Sequence, residues 1–247
     1  MIQDNHLHTN FSYDCEEDFD NYLPVMADGF VTTEHFDLSN PYSGNDDIPD
    51  YQAYCKKISI LEEQLGVRIK KGIEIGYYQP RENDILDYLS DKQFDLKLLS
   101  VHHNGQFDYL QREFVFPLGK DNIIPRYLEA LEYAIGRVEA DVLAHFDYGF
   151  RPFEMTIEEL KEYEPQLIRI FEKMMRFGLA FEINSKSMYL YEHEHLYRYA
   201  LDLLKKLGCT SYSIGSDGHK LEHYALYFDR VSDLLVEYGI TSEMLIH

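Results

Sequence analysis

Cysteines are scarce in this chain, and long apolar segments are absent. Cys15, Cys55 and Cys209 are the only three among 247 residues. Their odd number and the lack of Cys-x-x-Cys spacing predict neither a disulfide framework nor a thiolate zinc site. The N-terminus lacks the basic and apolar regions of a secretory signal peptide, and no apolar run approaches the roughly 18 residues of a membrane span. We therefore expect a soluble, cytoplasmic protein.

Basic residues are also few. The chain has 23 Lys and Arg against 44 Asp and Glu, which gives a formal net charge of −21. Sequence-independent nucleic-acid binding draws most of its affinity from cations that neutralise phosphates, and anionic membranes attract basic segments in the same way. The charge therefore argues against both partners and favours a small molecule or metal cations. Nothing in the sequence fixes the oligomeric state.

Tryptophan is absent, but 21 tyrosines and 15 phenylalanines are present, and hydrophobic residues make up 45% of the chain. This composition excludes disorder for the body of the protein. Short apolar segments alternate with longer segments of helical period. The expected strands are 2–8, 29–35, 67–75, 96–102, 142–146, 179–184 and 212–216. The expected helices are 50–65, 124–138, 157–177, 195–207 and 221–238, and 37–50 is expected to be a loop.

This alternation predicts an α/β protein with a parallel sheet and crossover helices. Seven strand–helix units favour a closed barrel over an open sheet, although periodicity alone does not separate the two. The chain shows no linker, low-complexity tract or internal repeat. We therefore expect a single domain over residues 1–247.

Side chains that bind metals recur where the expected strands end. They are His6, His8, Glu34, His35, Glu74, His102, His103, His145, Asp147, Asp217 and His219. In a parallel barrel, the active site lies at the carboxyl ends of the strands. Residues two apart on a strand share a face, so His6 and His8 are expected to point the same way. Val101 belongs to the apolar layer, which makes His102 the inward residue and His103 the weaker candidate.

Imidazoles and carboxylates without thiolates suit Zn²⁺, Mn²⁺ or Fe, and this set exceeds what one ion needs. The sequence therefore predicts two or three divalent ions. Glu74, with Gly72 and Gly76 on the same face, is the natural bridge between two of them. Such a cluster typically serves hydrolysis, because it acidifies water and holds substrate oxygens. The remaining histidines are interpreted as structural: His193, His195, His223 and His247.

Six short segments carry a family resemblance. They are His6-Leu7-His8-Thr9, Thr33-Glu34-His35, Gly72-Ile73-Glu74, Ser100-Val101-His102, Leu143-Ala144-His145-Phe146 and Gly215-Ser216-Asp217-Gly218-His219. In this order, from one end of the chain to the other, they resemble the successive motifs of the PHP (polymerase and histidinol phosphatase) family. The length, without added domains, is most similar to the stand-alone histidinol-phosphate phosphatases of that family.

The resemblance implies a distorted (β/α)₇ barrel, similar to a TIM barrel, that holds a trinuclear metal centre. The implied ligands are His6, His8, Glu74 and Asp217 for the first ion, Glu74, His102 and His145 for the second, and His35 and His219 for the third. The first two ions would share a hydroxide that attacks phosphorus, and the third would bind the phosphoryl group. Glu74, Asp217 and His219 would be the catalytic residues, with Asp217 or His219 close enough to protonate the leaving alkoxide.

Two positions depart from the family pattern. Asp14 stands where the phosphatase branch often has a further His, so it is either a ligand of the third ion or a loop residue in an Asx-turn. Glu34 stands where many members have Asp, which leaves its supporting role open.

Basic residues near the strand ends are candidate phosphate contacts, because a guanidinium binds phosphate through two parallel hydrogen bonds. Arg151, Lys186 and, more weakly, Arg81 are in suitable positions. The acidic stretch with Asp46, Asp47 and Asp50 is a candidate for attracting a cationic substrate.

The resemblance implies hydrolysis of L-histidinol phosphate to L-histidinol and phosphate, a late step of histidine biosynthesis. One alternative is a PHP phosphatase of another substrate, such as a phosphotyrosine protein or another small phosphate ester. A PHP exonuclease is disfavoured by the net charge and by the lack of a fused domain. A metal-binding module without catalysis is disfavoured by the complete set of ligands.

Overall fold

One seven-stranded sheet organises the computed structural model, which describes residues 2–246. Met1 and His247 lie outside the described residues. The strands are β1 (Phe30–Asn40), β2 (Asn45–Asp47), β3 (Ile69–Gly76), β4 (Leu96–Ser100), β5 (Val142–Leu143), β6 (Ala180–Asn184) and β7 (Tyr212–Gly215). Their order is β2-β1-β3-β4-β5-β6-β7, and every pair from β1 to β7 is parallel. The predicted α/β class and parallel sheet are confirmed.

The ladder itself does not close, and the segment 2–8 lies across the gap between its ends. Asn5 N donates to Ile214 O at 2.8 Å on one side, and Thr33 N donates to Leu7 O at 2.7 Å on the other. The prediction of a regular strand here is wrong. Side chains take the place of ladder partners, because Thr33 Oγ1 accepts from Leu7 N and Asp4 Oδ1 accepts from Ser216 N. This irregular crossing makes the barrel distorted.

Helices cover the outer face of the sheet. They are α1 (Tyr51–Leu65), α2 (Glu82–Ser90), α3 (Arg112–Leu118), α4 (Lys120–Ala134), α5 (Ile157–Glu162), α6 (Glu164–Arg176), α7 (Ser185–Tyr189), α8 (Glu194–Leu207) and α9 (Phe228–Tyr238). Helix α1 begins after Asp50, whose side chain accepts from Ala53 N, and ends at Gly66 with φ 69°. The predictions for α1 and α8 hold to within one residue. None of these helices is long and apolar enough to cross a membrane.

Other predicted boundaries were wrong, for local reasons. Segment 157–177 forms two helices, because Pro165 in the first turn of α6 has no N–H to continue the hydrogen bonds of α5. Helix α9 starts only at Phe228, after Ala225 and Tyr227 adopt positive φ. The predicted helix 124–138 spans Lys120–Ala134. Helices α2, α3 and α7 were not predicted, and the expected loop 37–50 contains the end of β1 and all of β2.

The buried apolar residues form three clusters, one of which packs around helix α1 with Phe19 and Tyr54 among its members. A large cluster between sheet and helices includes Phe146, Phe171 and Phe181. A smaller cluster fills the base of the interior, with Val31, Leu98, Val142 and Ala180 among its members. Above that base the interior becomes polar, because the carboxyl ends of the strands carry histidines and acids. The core thus supports a polar site at one end of the barrel.

Candidate metal centre

Glu74 on β3 lies at the centre of the polar cluster and is fully buried. Its Oε1 lies 3.1 Å from His102 Nε2 and 2.7 Å from His145 Nε2. Its Oε2 lies 3.2 Å from His6 Nε2 and 3.1 Å from His35 Nδ1. One carboxylate therefore contacts imidazoles from four different segments, which is the arrangement expected of a bridging ligand.

His6 and His8 point into the same space, as their spacing predicted. Their Nε2 atoms are 3.1 Å apart, and His8 Nε2 is 3.9 Å from Asp217 Oδ1. His6 Nδ1 donates to Glu182 Oε1 at 2.6 Å, which leaves Nε2 free to accept. Two ring nitrogens at this distance need a proton or a cation between them.

The third part of the cluster lies nearer to solvent. His219 Nε2 is 3.4 Å from His35 Nε2 and 3.4 Å from Asp14 Oδ2. His35 Nε2 is 3.6 Å from the same Asp14 oxygen. The side chain of Asp14 is 31% exposed, whereas that of His35 is 8% exposed. The structure thus brings Asp14 together with His35 and His219, the two histidines with which the sequence analysis grouped it as a candidate ligand.

The donor set fits metal ions. Four groups of three side chains have their ligand atoms within 4.8 Å of one another: His6, Glu74 and His145; His6, His8 and Asp217; His35, Glu74 and His102; His8, His35 and His219. Because the groups share members, they form one connected cluster. Imidazole and carboxylate donors of this kind bind transition metals of the Zn, Mn and Fe type. Two buried ring nitrogens support this interpretation. Within residues 2–246, His145 Nδ1 has no hydrogen-bond partner, and His35 Nδ1 lies 3.1 Å from Glu74 Oε2 without the geometry of a hydrogen bond.

The electrostatics of the cluster favour bound cations. Burial would raise the pKa of Glu74, but the surrounding imidazoles, His6 and His102 foremost, hold it well below its usual value. Burial would also raise the pKa of Asp217, but Lys186 and Arg151 hold it well below its usual range. Burial and the neighbouring imidazoles lower the pKa of His8. Burial would lower the pKa of His6, His35 and His102, but the neighbouring carboxylates raise it, so these rings attract a cation. Because metals bind ionised carboxylates and neutral imidazoles, bound metal ions would take the place of protons on these three rings.

Two buried acids that the sequence analysis did not single out hold the histidines in place. Glu182 on β6 accepts from His6 Nδ1 and, at 2.6 Å, from the backbone N of His145. Asp37 on β1 accepts from His102 Nδ1 at 2.8 Å. Such acids fix the orientation and tautomer of metal-binding histidines. The sequence contains a signal for each: Glu182 is an acid within the apolar segment 180–184, and Asp37 is an acid two residues after His35.

Gly72 and Gly76, on either side of Glu74, allow atoms of the neighbouring strand β1 to approach β3 closely. A Cβ at Gly72 would collide with the carbonyl oxygen of Thr32 on the neighbouring strand, and a Cβ at Gly76 would collide with the carboxylate of Asp37. Gly76 therefore makes space for the acid that orients His102. The sequence analysis placed both glycines on the same face as Glu74, and the structure shows which neighbouring atoms exclude a larger residue at each position.

Glu34 supports the loop that follows His8. Its carboxylate accepts from Thr9 N at 3.1 Å, from Thr9 Oγ1 at 2.8 Å and from Ser12 Oγ at 2.6 Å. Ser12 Oγ lies 3.2 Å from His8 Nδ1. Glu34 thus reaches His8 through a serine, although it is not a ligand candidate itself.

Two of the three predicted phosphate contacts lie at the cluster. Arg151 Nη2 donates to Asp217 Oδ2 at 3.1 Å, and Lys186 Nζ donates to Asp217 Oδ1 at 3.1 Å. Both cations line the pocket that also contains His219. Arg81 is not brought there, because its guanidinium binds Asp46 and Asp84 on the surface.

Further residues from the sequence analysis lie outside the cluster. His103 accepts from Gly105 N, Asp147 binds His193, and His195 donates to Met155 O. The acidic stretch that was a candidate for attracting a cationic substrate forms hydrogen bonds with nearby residues instead. Asp46 accepts from Arg81, Asp47 accepts from Asn40 and Ser43, and Asp50 caps helix α1.

A distorted α/β barrel whose strand ends converge on buried histidines and carboxylates defines a metal-binding protein of the hydrolase type. The chain belongs to the PHP domain family, whose pattern matches residues 4–186. A curated histidinol-phosphatase of Lactococcus lactis subsp. lactis (strain IL1403) is 27% identical over 246 residues, covering 96% of this chain and 91% of that protein. A probable histidinol-phosphatase of Thermotoga maritima is 23% identical over 225 residues, covering 89% and 85%.

A solved structure is similar over the whole length. It is histidinol phosphate phosphatase (HisK) from Lactococcus lactis subsp. lactis Il1403, complexed with Zn, L-histidinol and phosphate. The TM-score is 0.86 at 25% identity, and the match covers 100% of this chain and 98% of that one. The predicted distorted-barrel fold and the family are thereby confirmed.

Proposed function

We propose that this protein is a metal-dependent phosphomonoesterase that hydrolyses L-histidinol phosphate to L-histidinol and phosphate in histidine biosynthesis. One observation carries the proposal: a buried cluster of histidines and carboxylates and two cationic side chains line the same pocket. Arg151 and Lys186 lie beside Asp217 and His219 there. The curated relatives with this name and the solved relative complexed with L-histidinol and phosphate support the choice of substrate.

We assign two or three divalent ions, Zn, Mn or Fe, to the cluster. His6, His8, Glu74 and Asp217 would hold the first, Glu74, His102 and His145 the second, and His35, His219 and Asp14 the third. Bound ions of this kind acidify water for attack on phosphorus and neutralise phosphoryl oxygens. Glu74 belongs to two of the four groups of closely spaced ligand atoms described above, which supports more than one ion.

The chain's own residues would bind and orient the phosphate. Arg151 is buried and donates to Ser187 Oγ through Nε and Nη2, so its guanidinium is held in one orientation at the pocket wall. Lys186 Nζ adds a second positive charge beside Oδ1 of Asp217, whose Oδ2 accepts from Arg151 Nη2. Both cations favour a dianionic phosphate in a chain that is otherwise strongly acidic. His219 and Asp217 are our two candidates for protonating the leaving alkoxide, and His219 is the stronger one because Lys186 and Arg151 hold the pKa of Asp217 well below its usual range.

Steady-state phosphate release tests the proposal. Metal-loaded enzyme should hydrolyse L-histidinol phosphate with kcat/KM of about 10⁴ M⁻¹s⁻¹ or more, well above a panel of generic phosphate esters and phosphotyrosine peptides. Weak and similar turnover of every substrate would contradict the substrate assignment and direct the search to other phosphate esters. Full activity after complete metal removal would contradict the mechanism.

A further inference from the structure

A second, larger cavity adjoins the metal pocket. It has a volume of about 810 Å³, and its wall includes Arg151 and Tyr191, which also line the metal pocket. A phosphate held by Arg151 would therefore have its ester group beside this cavity. The volume is within the usual range for small-molecule sites.

His193 presents an unused acceptor in the wall of this cavity. The residue is 4% exposed, and its Nδ1 donates to Asp147 Oδ2 at 2.7 Å. Asp147 is held in turn by Ser187 Oγ and Tyr197 OH, each at 2.9 Å from its Oδ1. With Nδ1 carrying the proton, the neutral ring offers Nε2 as an acceptor. Within residues 2–246, Nε2 has no hydrogen-bond partner.

The rest of the wall suits a cationic group with a flat ring. Phe116, Phe153 and Tyr191 supply aromatic surface. Glu154 and Glu192 line the same cavity, and in the described part of the chain neither forms an ion pair with Lys or Arg. Glu192 has φ 59°, a left-handed conformation that is uncommon outside glycine and recurs at functional sites.

Two of the basic residues in the wall are already paired. Lys120 pairs with Glu159, and Arg151 pairs with Asp217. The third, Arg112, forms no ion pair with Asp or Glu in the described part of the chain and lies 5.7 Å from the centroid of the Phe116 ring. With Arg151 occupied by the phosphate, a second anionic group would meet this one unpaired cation, whereas a cationic group would meet the two carboxylates of Glu154 and Glu192. The wall is accordingly better suited to an N–H donor than to a second phosphate.

We propose that this cavity holds the alcohol part of the substrate and that His193 determines specificity by accepting an N–H from it through Nε2. L-Histidinol offers such donors in its imidazole and its ammonium group. The inference rests on the proposed function, and it names the residue that selects this ester among other phosphate esters. It gives a role in recognition to a histidine that the sequence analysis interpreted as structural.

Two substitutions of His193 distinguish the role of Nδ1, which donates to Asp147, from the role of Nε2, which would accept from the substrate. In His193→Asn, the side-chain amide can still donate to Asp147, but nothing replaces Nε2. In His193→Gln, the longer side chain brings a polar atom towards the position of Nε2. His195→Gln serves as the matched control, since His195 lines the same cavity but its Nε2 already donates to Met155 O at 2.6 Å.

The measurement is kcat/KM of the full-length, metal-loaded enzyme for L-histidinol phosphate and for p-nitrophenyl phosphate, which has no N–H donor. The selectivity ratio is kcat/KM for L-histidinol phosphate divided by kcat/KM for p-nitrophenyl phosphate. We expect His193→Asn to lower this ratio by about tenfold, mainly by raising KM for L-histidinol phosphate. His193→Gln should recover part of the ratio, and His195→Gln should keep it. Inhibition by L-histidinol should weaken in parallel. Bound metal and melting temperature are measured to verify that each variant is folded and loaded.

Three results would overturn the inference. Equal loss on both substrates would indicate a structural role, and an unchanged ratio in a folded His193→Asn variant would show that Nε2 is not used. A wild-type enzyme that does not prefer L-histidinol phosphate would refute the proposed function, and the inference would fall with it. The wild-type measurement therefore distinguishes the two failures.

Discussion

The metal centre and the adjoining cavity are built in different ways. At the metal centre most candidate ligands lie on strands or within a few residues of their carboxyl ends, and the others lie on the irregular segment 2–8 and in the loop after it. Further acids such as Glu182 and Asp37 hold the rings of the histidines. The cavity is formed by helix ends and irregular segments, and side chains in its wall such as Phe116 and Leu190 are nearly half exposed. The comparison suggests that the reaction depends on the rigid part and that substrate choice depends on the more adaptable part.

Removing the bridge should have the largest effect. Glu74→Gln keeps the size of the side chain but removes the charge shared by four imidazoles, so we expect loss of bound metal and a fall in kcat of more than about 1,000-fold. Metal analysis and phosphate release measure both. The matched control is Glu139→Gln, because Glu139 is on the surface and, among residues 2–246, forms an ion pair only with Lys97. A metal-depleted Glu74→Gln enzyme with full activity would show that the cluster is not the reaction centre.

Arg151 and Arg81 test where the phosphate binds. Arg151→Lys removes the forked guanidinium from the pocket, so we expect kcat/KM to fall by about 100-fold while metal content is kept. Arg81→Lys should have little effect, because Arg81 lies on the surface with Asp46 and Asp84. The two variants are compared under metal-saturated conditions with L-histidinol phosphate. Equal losses would contradict the position assigned to the phosphate.

Glu182→Gln probes the support of the metal centre without removing a ligand. The amide oxygen can still accept a hydrogen bond, but the negative charge facing His6 Nδ1 is lost, so metal affinity should fall by about tenfold. Titration with a competing chelator measures the affinity. At saturating metal, kcat should stay close to wild type. As a control, Glu172→Gln on the exposed face of α6 should change neither quantity.

The sequence could locate the candidate ligands because their positions follow local rules. Period-two alternation placed His6 and His8 on one face and selected His102 over His103, and the carboxyl ends of parallel strands meet at one end of a barrel. The same rules could not identify the partner of each ring. His6 and Glu182 are 176 residues apart, and His102 and Asp37 are 65 apart. Only the order of the strands in the sheet, with the segment 2–8 lying beside β7, brings these pairs together.

Other errors came from interactions that compete with regular structure. Side-chain acceptors on Asp4 and Thr33 replace ladder partners at the segment 2–8, so the strand expected there does not form. His193 looked ordinary because it precedes a helix. Its pairing with Asp147 and its position in a cavity wall depend on the fold.

The smallest effect is expected from the acidic stretch that the sequence offered as an attractor for a cationic substrate. Asp50 caps helix α1, and its carboxylate accepts from Ala53 N at 3.0 Å. Asp50→Ala should therefore cost about 1 kcal/mol of unfolding free energy, which lowers the melting temperature by about 2–4 °C in a chain of this size. We expect kcat/KM for L-histidinol phosphate to stay unchanged, because this carboxylate acts within the helix.

A loss of kcat/KM in the Asp50→Ala variant, specific to L-histidinol phosphate and absent for p-nitrophenyl phosphate, would instead give this stretch a part in recognition. Asp50→Asn is the control for that outcome, since Asn caps helices about as well as Asp but carries no charge. If Asp50→Asn keeps both stability and selectivity, the negative charge at this position is not used. Substrate recognition would then remain with the cavity beside Arg151, where Glu154 and Glu192 supply the unpaired carboxylates.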